Sequence, residues 1–451
     1  MAQVFPFRAF RYNPAHAPFE QVLTQPYDKI SPAMQDKYYA ANPHNLITVE
    51  KGRVHPSDAP NNNVYTRAAE AIQEWMRSGI VAQDPTASFY GYTQGYTVPG
   101  TEQRTTRRGF IGAGRLEEYS AGVIYRHEHT LSGPKADRLE LLRHTQISTG
   151  QLFLIYSDAG KRVDGVLQEV EASGAPATEM TDEYGVVHRL WVIADAERVK
   201  AIHDAMAAQK LVIADGHHRY ETALNYRNER RAAAGKTIPD APYERAMMTF
   251  INTQGAGLTI LPTHRVVARL RQFNWTELRR YLEPWFSAES IRFSDEGGRA
   301  KAREEFLQKL AAARAKRAIG VYPQVENGPR EFYVLTLREG VDLSRLLPSV
   351  SPLQRELDVV LLHDGILEPG LGLTPQSVAA ESNITYEREP GAALDAVDSG
   401  SAQVAFLLNA CDVEQVVKIA TSGEVMPQKS TDFYPKLMSG ITMYSVDPER
   451  A

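Results

Sequence analysis

Two histidines and an arginine follow an aspartate and a glycine in the segment Asp215-Gly216-His217-His218-Arg219. These residue types suit an oxyanion. A guanidinium grips one through paired N–H groups. Glycine lets backbone approach closely, and a carboxylate can hold a cation or accept a proton. The flanking sequence supplies the elements that must position them. Leu211-Val212-Ile213-Ala214 is a short apolar run with the pattern of a buried strand. Beyond the glycine, Tyr220, Ala223, Leu224 and Arg227 recur at i, i+3, i+4 and i+7, a helical face. A strand therefore hands over to a helix at Gly216. The first N–H groups of a helix lack partners and its dipole is positive there, which makes phosphate the natural guest. Taken alone, Asp215 would be an ordinary helix N-cap followed by exposed histidines.

A second constellation is Arg126-His127-Glu128-His129-Thr130, followed by Ser132-Gly133-Pro134-Lys135-Ala136-Asp137-Arg138. On a strand, His127 and His129 share one face and Glu128 takes the other. His-x-His can ligate zinc, but no third ligand follows at a familiar spacing. A fuller reading makes Glu128 a base or Mg²⁺ ligand, with Lys135 and Arg138 near phosphate. A surface turn before a charged helix stands level with it. Thr222, on the same helix as Arg219, joins the candidate cofactor-binding set with Gly216, His217 and His218. Asp215 and His218 join Glu128 as candidate catalytic residues, and Asp215 and Glu128 as candidate Mg²⁺ ligands. A third stretch, Lys429-Ser430-Thr431-Asp432, offers Lys429 and Ser430 to a phosphate or a small polar substrate. His264, in Leu261-Pro262-Thr263-His264-Arg265, is a similar case, and Asp28 of Gln25-Pro26-Tyr27-Asp28 is a further substrate-side carboxylate. The chain has no P-loop, kinase-type glycine loop, Gly-x-Ser-x-Gly elbow or His-Glu-x-x-His.

The 451 residues carry a formal net charge of −5, which gives no electrostatic reason to expect nucleic acid. A single cysteine, Cys411, rules out an internal disulfide framework and a cysteine-based zinc site. No apolar run is long enough to span a bilayer, and the first residues lack the form of a signal peptide. A cytoplasmic protein fits these bounds.

Alternating patterns predict an α/β or mixed α+β fold. Helices are expected from about Ala33 to Ala41, Val64 to Ser78, Ala136 to Thr145 and Asp195 to Gln209. Strands are expected at Leu46–Val49, Ser88–Tyr92, Arg108–Ala113, Gly122–Tyr125, Leu152–Tyr156 and His188–Ile193. On this reading an α/β core over residues 1–270 carries the Asp-Gly-His-His-Arg motif. A small two-layer α/β sandwich covers 271–345. A C-terminal α/β segment over 346–451 contributes to the active site.

Ala214 to Leu224, Arg126 to Leu142 and Gly423 to Leu437, with the Gln25 and Leu261 segments in the same order, resemble the signatures of a bacterial family. It is the "domain of unknown function ten-fifteen" family, and the resemblance covers essentially the whole chain. More remotely, Asp215 to Arg219 resembles the nucleotide-binding motif of the ParB/sulfiredoxin superfamily, and within it that of the free serine kinases. The resemblance implies a ParB/sulfiredoxin-like nucleotide-binding core, ATP or ADP with Mg²⁺, and serine or phosphoserine as substrate. Only Asp215 to Arg219 carries over residue by residue. Glu128, with Asp28 second, is the expected base on the residues' own chemistry. The leading expectation is a phosphotransferase acting on a small hydroxyl substrate, as a nucleotide-dependent free serine kinase or its phosphoserine-consuming reverse. One alternative is a nucleotide-binding regulator of ParB-like fold. Another is a metal-dependent hydrolase built on His127, His129, His217 and His218. Neither nucleic acid nor membrane is an expected partner, and assembly into a homo-oligomer stays open.

Overall fold

A computed structural model of the protein describes residues 1–128, 132–325 and 330–450. His129 and Thr130 lie outside the described residues. The fold is mixed α/β and divides into two compact units, Met1–Thr259 with Phe433–Ala451, and Ile260–Asp432.

The first unit is built on a nine-stranded mixed sheet. Its path runs Ile124–Tyr125, Leu211–Asp215, Leu152–Tyr156, Arg245–Asn252, Arg104–Arg115, Phe89–Thr97, Val187–Ile193 and Thr178–Thr181, with Val4–Phe5 added to Arg104–Arg115. Leu211–Asp215 runs parallel to Ile124–Tyr125 and antiparallel to Leu152–Tyr156. Leu152–Tyr156 is parallel to Arg245–Asn252, and the remaining pairs are antiparallel. The central strands are buried on both faces and read as near-continuous apolar runs, as such strands should. Phe89, Phe110 and Phe250 meet in the core, with ring centroids 5.4 and 4.9 Å apart. Burying each such ring stabilises the sheet by roughly 1.5–3 kcal/mol. Helix Ser132–Thr145 packs against helix His217–Ala234 and against helix Val64–Arg77.

The second unit has a six-stranded antiparallel sheet in the order Phe286–Phe293, Arg330–Leu337, Ile319–Pro323, Val404–Leu408, His264–Val267, Ile384–Glu387. Helices Glu296–Ala312 and Pro390–Asp398 pack on it. Residues 271–345 are therefore not a separate sandwich. Their strands share one sheet with Val404–Leu408, His264–Val267 and Ile384–Glu387, and residues from both sides of the range complete the core.

Leu46–Val49 departs from its strand pattern. Ile47–Glu50 is a helical turn, because the Asn45 side chain accepts the Ile47 N–H at 2.8 Å and starts a turn there. Helix Ser132–Thr145 starts within the predicted turn, whose residues form its first turn.

Candidate functional site

The strand Leu211–Asp215 is buried to Ala214 and carries a bulge before its last residue, since Ile213 pairs with Leu154 and Asp215 with Phe153. The extra residue breaks the side-chain alternation just before Asp215. Gly216 follows at φ 95°, in the left-handed region that favours glycine. A Cβ there would also lie 3.3 Å from the Arg219 guanidinium, so glycine leaves space for that side chain. Helix His217–Ala234 begins next, with Gly216 as N-cap and no side-chain cap bond. Asp215 is thus not the cap. Its Oδ2 accepts from Lys436 Nζ at 2.6 Å, and its Oδ1 lies 3.8 Å from Arg219.

Burial alone would raise the Asp215 carboxyl, but Lys436 and Arg219 outweigh it and hold the group well below the usual carboxylate range. Arg219 also donates to the Gln151 carbonyl. The two histidines separate in role. His217 is buried, and its Nε2 accepts the His127 N–H at 3.4 Å. Burial, and then the neighbouring His127, drive its pKa well below the ordinary value. His127 is likewise buried. Its Nδ1 meets the Ile213 carbonyl at 2.7 Å, so Nδ1 carries the proton, and burial lowers its pKa to about 4. This pair is a neutral, T-shaped packing unit with centroids 4.8 Å apart. His218 stays half-buried. Burial lowers its pKa against the opposing influence of Glu128, Glu221 and Asp28.

Glu128, Glu221, Lys135 and Asp28 are all close enough to act electrostatically on His218. Lys135 donates to Glu221 at 2.8 Å, and buried Thr222 donates to the Lys135 carbonyl at 3.4 Å. Arg138 is committed elsewhere. It pairs with Asp137 at 2.7 Å, donates to the Glu50 carbonyl, and lies 4.4 Å over the Tyr27 ring. Lys51 donates to the Tyr27 and Ile30 carbonyls at 3.2 and 2.5 Å. Arg138 and Lys51 thus fix the turn that carries Asp28. Among the described residues no group of three His, Cys, Asp or Glu side chains could hold a metal ion. Asp215 is already shared by two cations, so it does not fit a Mg²⁺ ligand.

His264, Lys429 and Ser430 belong to the second unit. His264 is buried, and its Nδ1 accepts the Leu408 N–H at 3.3 Å. Burial, and then Arg265, lower its pKa to about 4. Lys429 adopts φ 57°. Ser430 donates to the Pro427 carbonyl and lines a cleft of about 330 Å³ with Arg265, Arg314 and Arg317. Sequence reasoning did not single out Lys436 or Glu221, nor Lys29, whose charge also lowers the Asp215 carboxyl. Glu221 could have been found, because it falls three residues after His218 on one helix face. Lys436 lay inside a noted segment whose lack of either period hid which of its lysines points at Asp215.

A family model described as a protein of unknown function (DUF1015) matches residues 4–360. No curated protein matches the chain. Among solved structures, a conserved hypothetical protein from Pyrococcus furiosus is 14% identical, covering 72% of this chain and 94% of its own, with a TM-score of 0.33. A free serine kinase in complex with AMP is 13% identical, covering 72% and 89%, also at 0.33. SbnI with a C-terminal truncation, from Staphylococcus aureus, is 11% identical, covering 73% and 85%, again at 0.33. Likenesses at this level carry no argument about activity.

Proposed function

This chain belongs to the DUF1015 family of proteins of unknown function, and from the chemistry of its own site we propose a nucleotide-dependent phosphotransferase acting on a small hydroxyl substrate. The observation that carries the reading is the start of helix His217–Ala234. It has no side-chain cap, Arg219 stands beside it, and Glu128 and Asp28 lie near the partly exposed His218. The N–H groups of Gly216 to Arg219 would hold donor phosphates. Phosphoryl transfer depends on positioning and charge neutralisation more than on covalent chemistry. The substrate oxygen forms a bond to the terminal phosphorus as the bond from that phosphorus to the leaving nucleotide breaks, releasing ADP from ATP or AMP from ADP. The hydroxyl proton goes to a carboxylate, Glu128 first and Asp28 second. No step is routed through a metal, because the donor set at Asp215 does not fit one. Serine is the acceptor to test first, since Asp215 to Arg219 resembles the segment of the free serine kinases.

Purified protein is incubated with ATP or ADP, Mg²⁺ and serine, and phosphoserine is followed by mass. Phosphoserine is expected to form, or to be consumed in the reverse direction. If neither happens with any donor, the reading fails.

A regulator that binds nucleotide without transfer is the second reading. The engagement of Arg138 with Asp137 and Tyr27, and of Lys135 with Glu221, favours it, because fewer cations are then left for a transferring phosphoryl group. Nucleotide binding with slow hydrolysis alone would select it. Zinc hydrolysis is disfavoured because His217 Nε2 already accepts the His127 N–H, and among the described residues no group of three His, Cys, Asp or Glu side chains could hold the ion.

A further inference from the structure

Gln94 and Arg107 sit directly opposite each other on strands Phe89–Thr97 and Arg104–Arg115, and both are 1% exposed. Charged and amide side chains in a sheet interior need a full set of partners, and this pair finds them in one short segment. Arg107 donates to the Tyr434 carbonyl at 3.1 Å and to the Pro435 carbonyl at 2.5 Å. Gln94 accepts from Arg107 at 3.1 Å and donates to the Lys436 carbonyl at 2.8 Å. Three successive carbonyls are therefore gripped from one cross-strand pair. The guanidinium packs 4.6 Å over the Phe153 ring, and Phe153 in turn meets Phe433. The backbone is held up to Lys436, whose side chain then reaches Asp215.

Asp215 faces two cations, Lys436 at 2.6 Å and Arg219 at 3.8 Å, beside a helix start. A lysine is a compact cation on a flexible stem and can turn from one oxygen to another. Arg219 stays near Asp215 when it does so.

We propose that Lys436 is a phosphate-binding residue of the site, and that Arg107 and Gln94 are positioning residues that present it. The inference rests on the phosphate-binding reading of the helix start and adds to it the class of group bound, a polyphosphate oxyanion contacted from the C-terminal segment as well as from the helix.

Inorganic pyrophosphate is titrated calorimetrically into the full chain, as wild type, Lys436→Met, Lys436→Gln, Lys436→Arg, Arg107→Lys and the Arg107→Lys/Lys436→Met double variant. The neutral substitutions should weaken binding by about tenfold to a hundredfold. Lys436→Arg should restore most of the affinity. Arg107→Lys should weaken binding too, and the double variant should lose no more than Lys436→Met alone, because Arg107 acts through Lys436. A merely structural Arg107 would instead add its loss to that of Lys436. Pyrophosphate affinity unchanged in both neutral variants, or no binding by the wild type, would overturn the inference. Phosphoserine formation by the wild type separates that failure from failure of the proposed function. Its presence keeps the phosphotransferase reading even if Lys436 proves dispensable, and the absence of both formation and consumption of phosphoserine removes that reading even if Lys436 binds pyrophosphate.

Discussion

Each unit holds a histidine–arginine pair singled out by its sequence context, His218-Arg219 in the first and His264-Arg265 in the second. Both are candidates from residue type alone, and the fold treats them differently. Arg219 stands in the first turn of a helix, just after a strand has ended, with 15% of its side chain exposed and Asp215 3.8 Å away. Arg265 lies inside strand His264–Val267, between Val404–Leu408 and Ile384–Glu387, and is 1% exposed. It donates to the carbonyls of Thr263 and Lys429 and to His363 Nε2 at 3.1 Å. Burial, and then Arg265, push the His363 imidazole down to about 3, so it stays a neutral acceptor. The same two residue types stand beside a helix start where a strand ends and form an internal staple where it continues. Backbone N–H groups account for the difference. They are consumed in the sheet ladder around Arg265 and left unmatched at a helix start.

The largest expected effect breaks the staple. Arg265→Ala leaves several buried acceptors without donors, each costing about 1–3 kcal/mol, so the second unit should lose roughly 3–5 kcal/mol in urea unfolding. Nucleotide affinity at the first unit should not follow. Arg219→Ala should do the reverse. Nucleotide binding weakens by about 1.5–3 kcal/mol if a charged contact is lost, while the unfolding midpoint should fall less than for Arg265→Ala, since Arg219 donates to a single carbonyl, that of Gln151. Calorimetric titration with ADP decides this, and unchanged affinity would take Arg219 out of the site.

Acid should not discriminate between the two regions, because each buries neutral imidazole. His127 and His264 both have pKa values lowered from 6.5 to about 4. The unfolded chain takes up these protons first. The stabilising contribution is therefore complete above pH 6.5 and is lost as pH falls from there toward 4. Between pH 7 and 5 each group should cost about 2 kcal/mol. Urea midpoints at the two pH values test this, and His127→Asn should flatten the slope for the first unit alone. The smallest effect sharpens the helix start. Gly216→Ala places a Cβ at φ 95° and against Arg219. It should lower stability by about 1–2 kcal/mol, and weaken nucleotide binding with it by displacing the guanidinium. A fully retained affinity would show that Arg219 does not need that space.

The strand and helix around Gly216 were legible because each has a clean period and the glycine marks the break between them. The parting of His217 from His218 was not, since it depends on His127 arriving from a separate strand region to pack against one ring. Lys436 was hidden for a similar reason, because its place is fixed by Gln94 and Arg107, more than 300 residues earlier in the chain. Leu46–Val49 shows local chemistry overriding propensity, with one asparagine side chain turning a β-branched run into a helical turn. The sandwich expected over 271–345 failed because its strands are completed by partners from both sides of that range.

The most direct measurement of the central claim is amide hydrogen exchange of the full chain with and without ADP. Exchange should slow at Gly216 to Arg219, where ligand oxygens would accept from the helix's first N–H groups, and stay unchanged at Thr263 to Arg265. Unchanged exchange at Gly216 to Arg219 at saturating ADP, or protection at Thr263 to Arg265 instead, would contradict it.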